Sequence, residues 1–169
     1  VEGPDLFCQG DTILFTVNGG DFASAFNWDV PACATLLEGQ GTDSVLVFWP
    51  VECLNASVCA TAENTCATIG PECIQINALP LPAVDAGADF VVCDTVADLS
   101  AVPGPGVGNW TFVSGPGNAQ FNNPVDPFAE VTVDQLGTYE FAWTVTENGC
   151  SNTDLVTVDF LEPLSIGAT

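Results

Sequence analysis

Asn27-Trp28-Asp29-Val30 and Asn109-Trp110-Thr111-Phe112 are two copies of one pattern in a chain of 169 residues. Cys8 stands 20 residues before Trp28 and 58 before Cys66, and Cys93 stands 17 before Trp110 and 57 before Cys150. A cysteine, a strand tryptophan and a second cysteine at such spacings fit a disulfide that joins two sheets beside a buried ring. The duplication therefore predicts two tandem domains, with Cys8–Cys66 and Cys93–Cys150 as their bridges. Each bridge would contribute roughly 4 kcal/mol in the loop-entropy account. That is a large share for a domain of about 80 residues, whose core is small.

The rest of the chain reads as short strands. Alternating or β-branched runs occupy Thr12–Val17, Ser24–Val30, Ser44–Trp49, Ser57–Thr61 and Cys73–Asn77. The pattern restarts with Phe90–Cys93, Asn109–Val113, Ala129–Val133, Thr138–Thr146 and Thr153–Phe160. Turn clusters such as Asn18-Gly19-Gly20-Asp21 and Gly39-Gln40-Gly41-Thr42-Asp43 separate the runs, and no segment shows a helical period. Many short strands with regular turn signals predict an all-β fold of two immunoglobulin-like sandwiches. The break falls at Leu79-Pro80-Leu81-Pro82, where alternate prolines end a strand and favour a short extended linker, giving domains 1–80 and 81–169. Glu162-Pro163-Leu164-Ser165 reads as a second joint.

Composition prunes the functions. The chain carries 22 Asp and Glu and no Lys, Arg or His, for a net charge of −22. No side-chain cation exists to neutralise phosphate, which excludes nucleic acid, or to hold an anionic membrane surface. Without His or Lys there is no Ser-His-Asp triad, Cys-His pair or Schiff base. A carboxylate pair, as in glycosidases, is the one catalytic class that the residue types leave open, and 22 carboxylates make it unspecific. The chain is read as non-catalytic. Calcium and cationic surfaces are natural partners of such a field, although like charge also serves solubility alone. No apolar run approaches the roughly 20 residues of a membrane span, and the start at Val1 without a signal peptide leads us to expect a mature protein or an internal fragment.

Eight cysteines without C-x₂₋₄-C knuckles point to disulfides in an oxidising compartment rather than to zinc. Cys59 and Cys73 lie in consecutive strands flanking a turn, so they pair across that hairpin, and Cys33 falls to Cys53. All eight are expected to be oxidised.

Gly3-Pro4-Asp5-Leu6-Phe7-Cys8, Phe26-Asn27-Trp28-Asp29-Val30-Pro31 and Gly39-Gln40-Gly41-Thr42-Asp43-Ser44-Val45 resemble the PKD-like domains of Bacteroidota surface proteins. The second half is similar to the immunoglobulin-like repeats of the same proteins. It carries Asp85-Ala86-Gly87-Ala88-Asp89, Gly108-Asn109-Trp110, Gly137-Thr138-Tyr139-Glu140-Phe141-Ala142-Trp143 and Asn148-Gly149-Cys150. The resemblance implies secreted repeats that serve adhesion, gliding motility or surface filaments, and it brings no catalytic residues. It leads us to expect an extracellular, cell-surface location, with neighbouring repeats or identical subunits as partners.

Candidate sites follow. Asp85, Asp89, Asp94 and Asp98 cluster near the joint and could bind a structural calcium, or form solvated turns. No other cofactor is expected. Thr12, Ser44 and Thr95 lie in Asp-Ser/Thr-apolar patterns of the kind O-glycosylated in this bacterial group. Phe48, Trp49, Phe112, Phe121, Phe128 and Trp143 are the choices for a glycan platform, whereas alternation sends Trp28, Trp110 and Trp143 to cores. The functional expectation is a structural or adhesive segment of a surface repeat protein or filament. The competing reading is a carbohydrate-binding or calcium-dependent adhesive module.

Overall fold

The computed structural model describes residues 1–164 except Asp5 and Asp21. Ser165 of the second joint thus lies outside the described residues, as do two Asp within the quoted motifs. The described chain is all-β, with two tandem immunoglobulin-like sandwiches: Val1–Leu81 forms unit 1 and Pro82 begins unit 2.

Unit 1 contains β1 (Thr12–Thr16), β2 (Ala25–Asp29), β3 (Thr35–Glu38), β4 (Ser44–Phe48), β5 (Asn55–Glu63) and β6 (Thr68–Asn77). One sheet runs β1-β4-β3 and the other β2-β5-β6. Period-two alternation decides which side chains meet. Ile13 and Phe15 on β1, and Val45 and Val47 on β4, point inward with Trp49 in the same phase. They meet Trp28, Val58, Ala60 and Ile76 from the other sheet in a single core. Trp28 is buried and donates its indole N–H to the Thr42 carbonyl at 2.8 Å. Gly39 permits the turn into β4, because at φ +94° a Cβ would lie 2.1 Å from the Ser44 carbonyl oxygen.

Unit 2 contains β7 (Phe90–Val92), β8 (Val96–Asp98), β9 (Val107–Ser114), β10 (Ala119–Phe121), β11 (Glu130–Val133), β12 (Gly137–Glu147) and β13 (Cys150–Phe160). Its sheets run β10-β11-β8 and β7-β13-β12-β9. The β12–β13 hairpin turns at Asn148-Gly149, where φ values of 51° and 86° supply the left-handed pair that a two-residue hairpin loop requires. Trp110, Tyr139, Phe141, Trp143, Val156, Val158 and Phe160 build a core independent of the first. The Trp110 and Trp143 rings pack at 5.0 Å, and neither buried indole N–H has a hydrogen-bond partner.

The units share a plan. In each, an early segment makes a parallel ladder with the far end of the last strand: Cys8 pairs with Leu79 just beyond β6, and Val92 pairs with Phe160 on β13. That register overturns two of the expected bridges. Cys66 lies in the β5–β6 turn, 13 residues up the chain from Leu79, a distance on the order of 40 Å at about 3.3 Å per residue. Cys150 opens β13, 10 residues from Phe160 and so roughly 33 Å from Cys93. A disulfide needs Cα atoms about 4–7 Å apart. Cys66 and Cys93 are instead free and exposed, so the expectation of eight oxidised cysteines also fails. Cys8 and Cys150 are each disulfide-bonded. No bridge therefore joins the sheets beside Trp28 or Trp110 in the expected way.

Candidate functional site

The remaining two pairings hold. Cys59 and Cys73 stand directly opposite each other in the β5–β6 ladder with Cα atoms 4.0 Å apart, and Cys33 is joined to Cys53 with Cα atoms 5.3 Å apart. Cys53 is buried and its carbonyl accepts the indole N–H of Trp49. The ring beside a bridge in unit 1 is thus Trp49.

The feature in which the two units correspond most closely is a pair of terminal cysteine positions. One is the tip of the last hairpin, held by Cys66 in unit 1 and by Cys150 in unit 2. The other is the foot, where the early segment meets the end of the last strand, held by Cys8 and Cys93. Each position is built by local hydrogen bonding. At the unit 1 tip the Asn64 carboxamide oxygen accepts the N–H groups of Cys66 (2.8 Å) and Ala67 (3.0 Å), and its Nδ2 donates to the Phe22 carbonyl (3.1 Å). At the unit 1 foot the Asp11 carboxylate accepts the Cys8 N–H at 2.9 Å. At the unit 2 foot Leu161 donates to the Val92 carbonyl at 2.8 Å, and the Asp94 carboxylate accepts the Thr95 N–H at 2.6 Å.

Beside the unit 1 tip lies an open groove of about 380 Å³ lined by Gly20, Phe22, Ala62, Glu63, Ala67 and Ile69, among others. Phe22 is 88% exposed and Ile69 70%. Apolar side chains also stand free around the unit 2 foot, where Val91 and Leu161 are about half exposed.

The four candidate calcium ligands do not come together. Asp85 folds back on the Gly87 N–H (2.8 Å), and Asp89 accepts the N–H of Thr157 on β13 (2.8 Å). Asp94 closes its own turn, and Asp98 stands on the other sheet, opposite Glu130. Among the described residues no three His, Cys, Asp or Glu side chains are grouped to hold a metal. Asp134 has a displaced pKa. Hydrogen bonds from the Asn118 side chain and then the Asn118 backbone, each 2.7 Å, hold it below its ordinary value. Sequence reading did not single it out; the signal was two turn residues, Asn118 and Asp134, flanking a strand pair.

Of the glycosylation candidates, Thr12 and Thr95 are exposed and Ser44 is half-buried at the start of β4. Of the aromatic choices, Trp49 and Trp143 are in cores and Phe121 packs on Phe141 at 5.6 Å. Phe48, Phe112 and Phe128 remain exposed.

Residues 1–76 match the model of a PKD-like domain, so the first sandwich is similar to that family. No curated protein matches the chain. Among solved structures, the PKD domain of the KIAA 1837 protein is 26% identical with a TM-score of 0.43, covering 51% of this chain and 92% of that one. The insect immune protein hemolin is 9% identical with a TM-score of 0.43, covering 92% of this chain and 44% of that one. The Ig1-2 module of the Drosophila receptor protein tyrosine phosphatase DLAR is 13% identical with a TM-score of 0.38, covering 92% of each chain.

Proposed function

We propose that the chain is a non-catalytic structural and adhesive segment of an extracellular surface repeat protein or filament. The observation that carries the reading is the repeated plan of the two sandwiches, with a cysteine at the tip and one at the foot of each. Such terminal positions suit a module that is joined to others. Oxidised cysteines belong to oxidising compartments, which favours a secreted or surface location. Folds of PKD and immunoglobulin type are typically non-catalytic, and a fold alone does not fix a function. The Bacteroidota surface proteins that the motifs resemble are the expected source, and neighbouring repeats or identical subunits the expected partners.

The test is made on intact source cells. Antibody raised against the chain should label their surface, and external pepsin-type proteolysis should remove the label. A strain lacking the coding segment should lose adhesion or surface filaments. Intracellular label, or unchanged adhesion and filaments, would overturn the reading. Specific retention on a glycan array would replace it with the carbohydrate-binding alternative.

A further inference from the structure

We infer that Cys93 of one copy of this chain and Cys66 of a second copy form a disulfide, linking copies foot to tip. The inference deepens the reading of the chain as a repeat segment and rests on it for its choice of partner.

The argument starts from equivalence. Cys66 and Cys150 both sit at the tip of the last hairpin, and Cys8 and Cys93 both sit at the foot. At each kind of position one member is disulfide-bonded, Cys150 at a tip and Cys8 at a foot. The other member is a free, exposed thiol. Both positions are thus competent for bonding in this fold.

Chain direction places each thiol within its own unit. Unit 1 hands the chain on through Leu79, at its foot, so within unit 1 Cys66 lies at the opposite end from Leu79. Unit 2 receives the chain beside its tip, where the Asn152 amide donates to the Pro82 carbonyl at 3.0 Å, so within unit 2 Cys93 lies at the opposite end from Pro82. Within a unit, tip and foot are too far apart to bond. A free foot can therefore be satisfied only from outside its unit, and a free tip likewise.

The surroundings favour a second copy as the occupant. The tip carries exposed Phe22 and Ile69 beside an apolar groove, and the foot carries exposed Val91 and Leu161. Burying these against each other is favourable. Like charge at −22 per chain opposes association by contact alone, so a covalent bond supplies what the charge would undo. Asn64 is a positioning residue here, because its carboxamide fixes both the Cys66 turn and Phe22.

The bond forms by exchange with a low-molecular-weight disulfide such as oxidised glutathione. The Cys93 thiolate attacks it, giving a mixed disulfide and one released thiol. The Cys66 thiolate of the second copy then attacks the Cys93 sulfur and releases the second thiol. Two protein thiols are oxidised, one small disulfide is reduced to two thiols, and exchange conserves the protons.

The experiment uses the full chain in a buffer of oxidised and reduced glutathione, read by non-reducing electrophoresis and intact mass. The wild type should give a ladder of oligomers that dithiothreitol collapses. Peptic digestion of the ladder should yield a peptide joining Cys66 to Cys93. C66S and C93S alone should stay largely monomeric. Their mixture should stop at a dimer, at least tenfold above either alone. N64A should lower that yield several-fold while both thiols remain reactive to alkylation. Equal dimerisation of each single variant alone would overturn the inference, as would a mixture that acquires only glutathione. Either failure leaves the surface-labelling result intact, so the linkage and the broader reading fail separately.

Discussion

The ring of Trp143 lies over Gly108 on the neighbouring strand, so close that a Cβ at Gly108 would stand 1.9 Å from ring carbon Cζ2. The two are diagonal neighbours across the β9–β12 ladder, where Gly108 pairs with Val145 and Trp110 with Trp143. Glycine is therefore required for space. The ring is buried against Trp110 and cannot swing away. G108A should destabilise unit 2 by about 1–3 kcal/mol, the usual cost of overpacking. Chemical denaturation followed by tryptophan fluorescence measures it, and a change below about 0.5 kcal/mol would show that the ring yields freely.

Asp98 and Glu130 stand directly opposite each other on β8 and β11, both exposed. Like charges in that position weaken a ladder. E130K turns the repulsion into a cross-strand ion pair and should stabilise unit 2 by up to about 1 kcal/mol. E130Q should recover part of that gain. If E130K melts below the wild type, the pair contributes something other than repulsion.

Asn118 gives its backbone N–H and side-chain amide to Asp134, which lowers the Asp134 pKa below 3.8. A carboxyl with a depressed folded pKa adds stability that is fully present above its unfolded value. That stability is lost as pH falls through the folded value. N118A should therefore lower the melting temperature at pH 6, and the difference from the wild type should shrink as pH falls through the lowered folded value. A difference that stays constant as the pH is taken into strong acid would place the effect in packing rather than in the charged hydrogen bonds.

Self-repulsion should be visible in salt. With 22 acidic side chains and no basic ones, each unit carries one sign of charge. Raising sodium chloride from 0.01 M to 1 M at pH 7 shortens the Debye length from roughly 30 Å to 3 Å. The expected gain is about 1 kcal/mol, or roughly 4–8 °C in melting temperature for domains of this size. Calcium chloride should add no more than sodium chloride at matched ionic strength, because Asp85, Asp89, Asp94 and Asp98 are not gathered. A calcium-specific increment would reinstate a bound ion.

Much of the fold was legible because alternation fixes faces. Val45, Val47 and Trp49 share one parity and are all buried, and the same rule places Val156, Val158 and Phe160 inside unit 2. Sequence reading places Trp49 among the candidate surface aromatics, although its parity argues for the core. The strands β3, β8 and β10 escaped notice because three or four residues are too few to display a period. The misplaced bridges have a different cause. A spacing of 57 or 58 residues fixes distance along the chain and is silent on which end of a strand each cysteine occupies. The needed signal was local: Cys150 directly follows the Asn148-Gly149 turn, and Cys66 follows Asn64 by two residues. Both belong at hairpin tips, which a foot cysteine of the same domain cannot reach.

The bond between Cys59 and Cys73 acquires a meaning when the chain is pulled. Tension that enters unit 1 at Leu79 runs into β6, an outer strand of its sheet that would peel from β5 one rung at a time. Peeling proceeds through Ile76 and Ile74 and then meets a covalent rung. Load passes sideways into β5, and residues 60–72 cannot lengthen the chain. Cys33–Cys53 shelters residues 34–52 in the same manner. A stretched unit 1 would therefore give up only part of its contour length before its backbone went taut, like a rope with knots that stop it from running out.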